Sequence, residues 1–146
     1  MKGGGAEGVT SAPEGMTIRK TIKEAREAKP SPLPDGQYIR WLNELEGQAL
    51  AFLQGFEDED DVFGLDGPPF EGYLEDADGE TELKVPPPHD GIYTSWLKAK
   101  TDLMMDETER YNVSAAVFNS EYEAWRLHIT RTMTPLQRNR LIWSRL

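Results

Sequence analysis

The chain has no cysteine, only two histidines, and no apolar run approaching the roughly 20 residues of a membrane span. Without cysteine, a disulfide scaffold, thiol catalysis and thiolate zinc sites are excluded. The first fifteen residues also lack the apolar stretch of a signal peptide, so an intracellular product is expected. Apolar residues are scarce, at 38% hydrophobic against 29% charged. That is low for a globular domain but above the level at which a chain stays disordered. The length of 146 residues fits about one domain. Setting aside a glycine-rich start and an acidic middle leaves about 100 residues for a small core.

Lysine and arginine are missing between Glu57 and Glu82, where twelve acidic side chains stand. The formal net charge of −10 therefore sits in that stretch, and the remainder of the chain carries +2. From Arg126 to Leu146 the bias reverses, with five arginines (126, 131, 138, 140 and 145) and no acid. An acidic middle and a basic end argue against uniform coating of nucleic acid, which needs a net basic face. They suit complementary contacts between protein subunits, although such blocks also occur as solvated loops and tails.

Residues 1–15 (MKGGGAEGVTSAPEG) contain five glycines and one large apolar residue, Val9, and read as a flexible arm. Folded sequence is expected from Met16. Thr17 is a plausible N-cap for a first helix carrying Ile18, Ile22 and Ala25. Pro30, Pro32 and Pro34 stop it. Asp35 is then expected to cap a second helix in which Tyr38, Leu42, Leu45, Ala49, Phe52 and Phe56 recur at spacings of four and three.

The stretch 57–88 has many glycines and prolines and no helical period. Tyr73-Leu74 and Glu82-Leu83-Lys84-Val85 are candidate partners in a small hairpin across the Asp78-Gly79 turn signal. With so much like charge, the insert is expected to be mobile or ordered only by a partner. Pro86-Pro87-Pro88 closes it as a rigid spacer. Asp90 then begins a helix with Ile92, Tyr93, Trp96, Leu97, Leu103 and Met104 on one side. Asp106-Glu107-Thr108-Glu109 has the form of a capping box, so either a new helix starts there or the two run on as one rod. Tyr111, Ala115, Phe118, Tyr122, Trp125 and Ile129 repeat the spacing of four and three, and Pro135 ends the helix. The expected fold is all-α: a small bundle of three to four helices, with a long acidic loop or small β-hairpin inserted between the second and third. Leu45, Phe52, Trp96, Phe118, Tyr122 and Trp125 are expected in one core.

Chemistry is sparse. Catalysis needs a nucleophile beside a base, a metal cluster, or carboxylates in contrasting environments, and no catalytic, cofactor-binding or metal-binding residues stand out. His89 and His128 fit no metal-ligand spacing. Glu57-Asp58-Glu59-Asp60-Asp61 lacks the alternating ligands, central glycine and terminal glutamate of a calcium loop. Gly3-Gly4-Gly5 lacks the lysine and serine or threonine of a phosphate loop. The best candidate for partner binding is the basic and apolar tail 134–146, through Arg138, Arg140, Leu141, Ile142, Trp143, Arg145 and Leu146. A tryptophan among arginines is a common interface anchor.

Beside Met16-Thr17-Ile18 opening the first helix, three longer stretches carry a resemblance: Ile39 to Gly47 (IRWLNELEG), Leu83 to Asp90 (LKVPPPHD) and Glu109 to Tyr122 (ERYNVSAAVFNSEY). They resemble head–tail connector (neck adaptor) proteins of tailed bacteriophages over residues 16–133, with the acidic insert similar in position only. The resemblance implies a helical adaptor domain, no enzymatic activity and no cofactor. It further implies self-association into a ring, twelve copies to match the portal, in the virion neck and assembled in the host cytoplasm. The partners implied are the portal protein and the next neck or tail protein. DNA would pass through the channel without sequence-specific contacts, and no membrane is involved. The family ends soon after the aromatic helix, whereas this chain continues through Thr134–Leu146. A tail-completion or head-completion protein, or a DNA-binding accessory protein using the arginine-rich tail, are the alternatives.

Overall fold

The structure, a computed structural model, describes residues 15–136. The arm, apart from Gly15, and the tail from 137 onward lie outside the described residues. Within them the architecture is all-α, with four helices and no strand: α1 Ile18–Ala28, α2 Asp35–Leu53, α3 Gly91–Met104 and α4 Thr108–Thr132. No helix among these residues is long and apolar enough to cross a membrane.

Local chemistry accounts for most of the boundaries. The Thr17 hydroxyl accepts from the Lys20 N–H at 3.1 Å, so the expected cap of α1 is formed. The prolines at 30, 32 and 34 carry the chain to α2, which begins at Asp35 without a side-chain cap. The chain reverses between α3 and α4, so they are separate helices rather than one rod. The acidic run there does not form the expected capping box: α4 begins at Thr108 with no side-chain cap bond. Instead Asp106 takes a left-handed conformation (φ 60°) and closes α3. The Glu107 N–H donates to the Asp102 carbonyl at 3.0 Å, and the Asp106 N–H to that of Leu103 at 3.1 Å. This is the Schellman arrangement, with aspartate in the place where glycine is usual.

Helix α3 is the hub and packs on α1, α2 and α4. Contacts along the α3–α4 hairpin run in antiparallel order. Asp102 meets Ser114 at the closed end, Ser95 meets Glu121 further along, and His89 meets His128 at the open end. Trp96 lies against Phe118, with ring centroids 4.9 Å apart, and the ladder continues through Tyr122 and Trp125 to Phe52 of α2. Of the six expected core residues, Leu45, Phe118 and Trp125 are buried, while Phe52, Trp96 and Tyr122 are half-buried against them. Trp96 keeps its indole N–H satisfied by donating to the Trp41 carbonyl at 2.7 Å.

The insert departs most from expectation. It is folded back onto the helices, with Phe63, Leu83 and Val85 buried. Its carboxylates point outward or hold local turns; Asp58, for example, accepts from the Val62 and Phe63 N–H groups at 2.9 and 3.0 Å. Arg40 and Arg19 pair with Glu75 and Glu80. The hairpin is not formed, because both of its strands have backbone groups engaged elsewhere. Asn43 takes the backbone N–H and carbonyl of Tyr73 at 2.7 and 3.0 Å. Leu83 donates to the Met16 carbonyl, while the carbonyls of Gly79 and Thr81 accept from Arg19 and Ile18. Those two N–H groups open α1 and have no partner inside their own helix, so the insert caps α1 with its backbone.

Phe118 is 6% exposed and lies between the Trp96 and Tyr122 rings. Phe118→Ala is expected to cost about 3–5 kcal/mol of stability in denaturant melts. A loss under about 1 kcal/mol would mean that the aromatic ladder does not hold the hairpin to the bundle.

Candidate functional site

Among the described residues Glu46 is a fully buried acid; it follows Leu42 by one turn on the buried face of α2 and is 0% exposed. The Tyr73 and Tyr93 hydroxyls each donate to its carboxylate at 2.6 Å, and the Lys84 backbone N–H donates at 2.9 Å. Tyr93, on α3, also accepts from the Val85 N–H at 2.8 Å. Burial raises the Glu46 carboxyl above its ordinary value, and the three donors pull against that shift without cancelling it. Burial, with the Glu46 charge beside them, holds both tyrosine hydroxyls far above their ordinary value, so they remain donors. Sealed from solvent, this carboxylate organises the fold and has no access to a substrate.

A cleft of about 250 Å³ opens where the start of the insert meets the open end of the α3–α4 hairpin. Glu57, Asp58, Glu59 and Asp60 form its acidic wall; Phe63, Trp125 and Ile129 form its apolar floor. His89 and His128, 39 positions apart in sequence, meet there with ring centroids 4.8 Å apart. Burial, and then the neighbouring imidazole, lowers the His89 pKa, while Asp90 pulls in the opposite direction. The cleft is smaller than the roughly 300–1,000 Å³ of small-molecule pockets and has room for one or two side chains of another protein. Among the described residues, no group of three or more His, Asp or Glu side chains is placed to hold a metal ion.

The partner-binding residues expected from sequence, Arg138, Arg140, Leu141, Ile142, Trp143, Arg145 and Leu146, lie outside the described residues. Their point of departure is fixed. The Glu57 N–H donates to the Thr134 carbonyl at 2.8 Å, and the Leu136 N–H to that of Gly55 at 3.0 Å. The chain therefore reaches position 136 beside Glu57, Asp58 and Glu59, which share a groove with Leu136. Sequence reasoning missed both Glu46 and the histidine pair. The signal for Glu46 was an acid placed among Leu42, Leu45 and Ala49 on an apolar face; the histidines carried none.

Because burial raises the folded-state pKa of Glu46 above the ordinary 4.5, the folded chain holds that proton more tightly than the unfolded chain. The linked stability is full below the ordinary value and declines as pH rises through the folded value. Glu46→Gln is expected to flatten this decline in urea melts between about pH 4 and 7. A variant whose stability tracks pH as steeply as the parent would contradict the assignment.

The chain matches no protein-family model, no curated protein and no solved structure.

Proposed function

We propose that the chain is a non-enzymatic virion structural protein, a head–tail connector subunit that forms a ring between the portal and the tail or next neck protein. The observation that carries this reading is the convergence of the three stretches that resemble that family. Glu46, in the first, accepts from Lys84, in the second. Phe118, in the third, packs at a tilt against Trp96, which donates to Trp41 in the first. Each stretch thus includes residues that hold the fold: Trp41 and Glu46 in the first, Leu83 and Val85 in the second, and Phe118 in the third.

Surface chemistry supports the same reading. The closed end of the α3–α4 hairpin exposes Leu103, Met104 and Met105 side by side, a cluster suited to burial against a neighbouring subunit. The basic tail leaves the domain beside an acidic wall, and in a closed ring each subunit offers one such wall to the next. The tail is then the segment that reaches the portal or a neighbour, with Trp143 as its apolar anchor.

Size-exclusion chromatography of the chain with and without the portal protein of the same phage tests the proposal. The full chain is expected to co-elute with the portal as a ring. A chain ending at Leu136 is expected to keep its helical circular dichroism and lose co-elution. Unchanged co-elution removes the tail's role, and failure of the full chain to bind removes the connector reading. Duplex DNA binding that falls steeply with salt and disappears with the tail would favour the accessory-protein alternative.

A further inference from the structure

Helix α4 has two faces. Its inward face carries Phe118, Trp125 and Ile129 into the core. Diametrically opposite, positions 113, 116, 117, 120, 124 and 127 share an arc about 100° wide at 3.6 residues per turn. All six are exposed, and none is charged. Three are large and apolar: Val113 is 66% exposed, Val117 45% and Leu127 48%. The stripe is bounded by Glu109 in the first turn and Arg131 in the last. Among the described residues, neither of those side chains has a hydrogen bond or ion pair within the chain.

Apart from Val117, whose counterpart position holds Glu123, the order of residues along this stripe is symmetric about Ser120. Ala116 and Ala124 flank it at four positions, Val113 and Leu127 at seven, and Glu109 and Arg131 at eleven. We propose that α4 is a two-fold dimerisation helix whose occupant is α4 of a second copy of this chain, packed antiparallel with the axis at Ser120. In that register Val113 meets the second copy's Leu127, the alanines meet each other, and Glu109 meets the second copy's Arg131. Serine and alanine at the centre allow the close axial separation, about 8 Å, that small side chains permit. Charge fixes the direction: a parallel pair would set Glu109 against Glu109 and Arg131 against Arg131. Antiparallel pairing also places each helix's negative end beside the other's positive end. This contact joins like faces, whereas a ring joins unlike ones. It therefore goes beyond the connector reading, and its failure would leave that reading standing.

Sedimentation velocity of the full chain over a concentration series is expected to show a monomer–dimer equilibrium. Ala124→Glu, at an exposed helical position, is expected to keep the circular dichroism of the parent and weaken the dimer at least about tenfold. Glu109→Arg and Arg131→Glu are each expected to weaken it, and the double charge exchange to restore it. The absence of cysteine gives a direct test of register. Ser120→Cys is expected to form a disulfide-linked dimer under mild oxidation. Val113→Cys alone is expected to dimerise without a covalent link, and Val113→Cys with Leu127→Cys to cross-link, since disulfides need Cα atoms roughly 4.4–6.8 Å apart. A chain that stays monomeric at every concentration overturns the proposal and leaves the stripe to its own tail or another protein. A dimer indifferent to Ala124→Glu, or a Val113→Cys chain that cross-links to itself, overturns it equally.

Discussion

Three donors converge on one buried carboxylate, and the two halves of the chain are joined there. Glu46 belongs to α2, Tyr93 to α3, and Tyr73 and Lys84 to the insert between them. Burying an unpaired carboxylate costs several kcal/mol. Hydrogen bonds to a charged group contribute about 1.5–3 kcal/mol each, so three of them offset much of that cost but not all of it, and the carboxyl stays raised. The gain is in specificity. Removing any donor leaves a buried charge short of partners, so alternative packings of the insert are penalised more heavily than the native one is stabilised.

The rest of the fold follows from where the insert is pinned. With Lys84 and Val85 held against α2 and α3, the preceding segment lies across the start of α1 and places the carbonyls of Gly79 and Thr81 on its unpaired N–H groups. The following residues turn His89 onto His128 and open the cleft at the end of the hairpin. A segment rich in negative charge thus behaves as a clamp. Its acids lie outward, where water screens them, and its few apolar residues do the packing.

The helices were legible because their signals are local. Thr17 caps α1, and the stripes through Phe52 and Ile129 recur at the helical period, while Phe56, expected to continue the first stripe, lies past the end of α2 at Leu53. What sequence could not show lies in partners far along the chain. Glu46 binds groups 27, 38 and 47 positions away, and a periodicity that counts only apolar residues passes over an acid on the same face. The hairpin expectation failed for the same reason: Asn43 and Met16, remote in sequence, claim the backbone of its would-be strands. Asp106 illustrates a different ambiguity. An aspartate at a chain reversal can open one helix or close another, and the sign of φ that decides between them is not written in composition. The seven tail residues singled out from sequence lie beyond the described chain, so the described part of the site rests on the cleft and on the tail's point of departure.

The central claim is that the acidic insert is an integral part of the fold, fastened through Glu46. Native-state hydrogen exchange of the isolated chain tests it directly at the amides of Lys84 and Val85, whose acceptors are the Glu46 carboxylate and the Tyr93 hydroxyl. The account predicts that these two amides exchange only through the opening that also exposes the core amides of α2 and α3. Exchange at the rate of an unstructured peptide, while the helices stay protected, would contradict it.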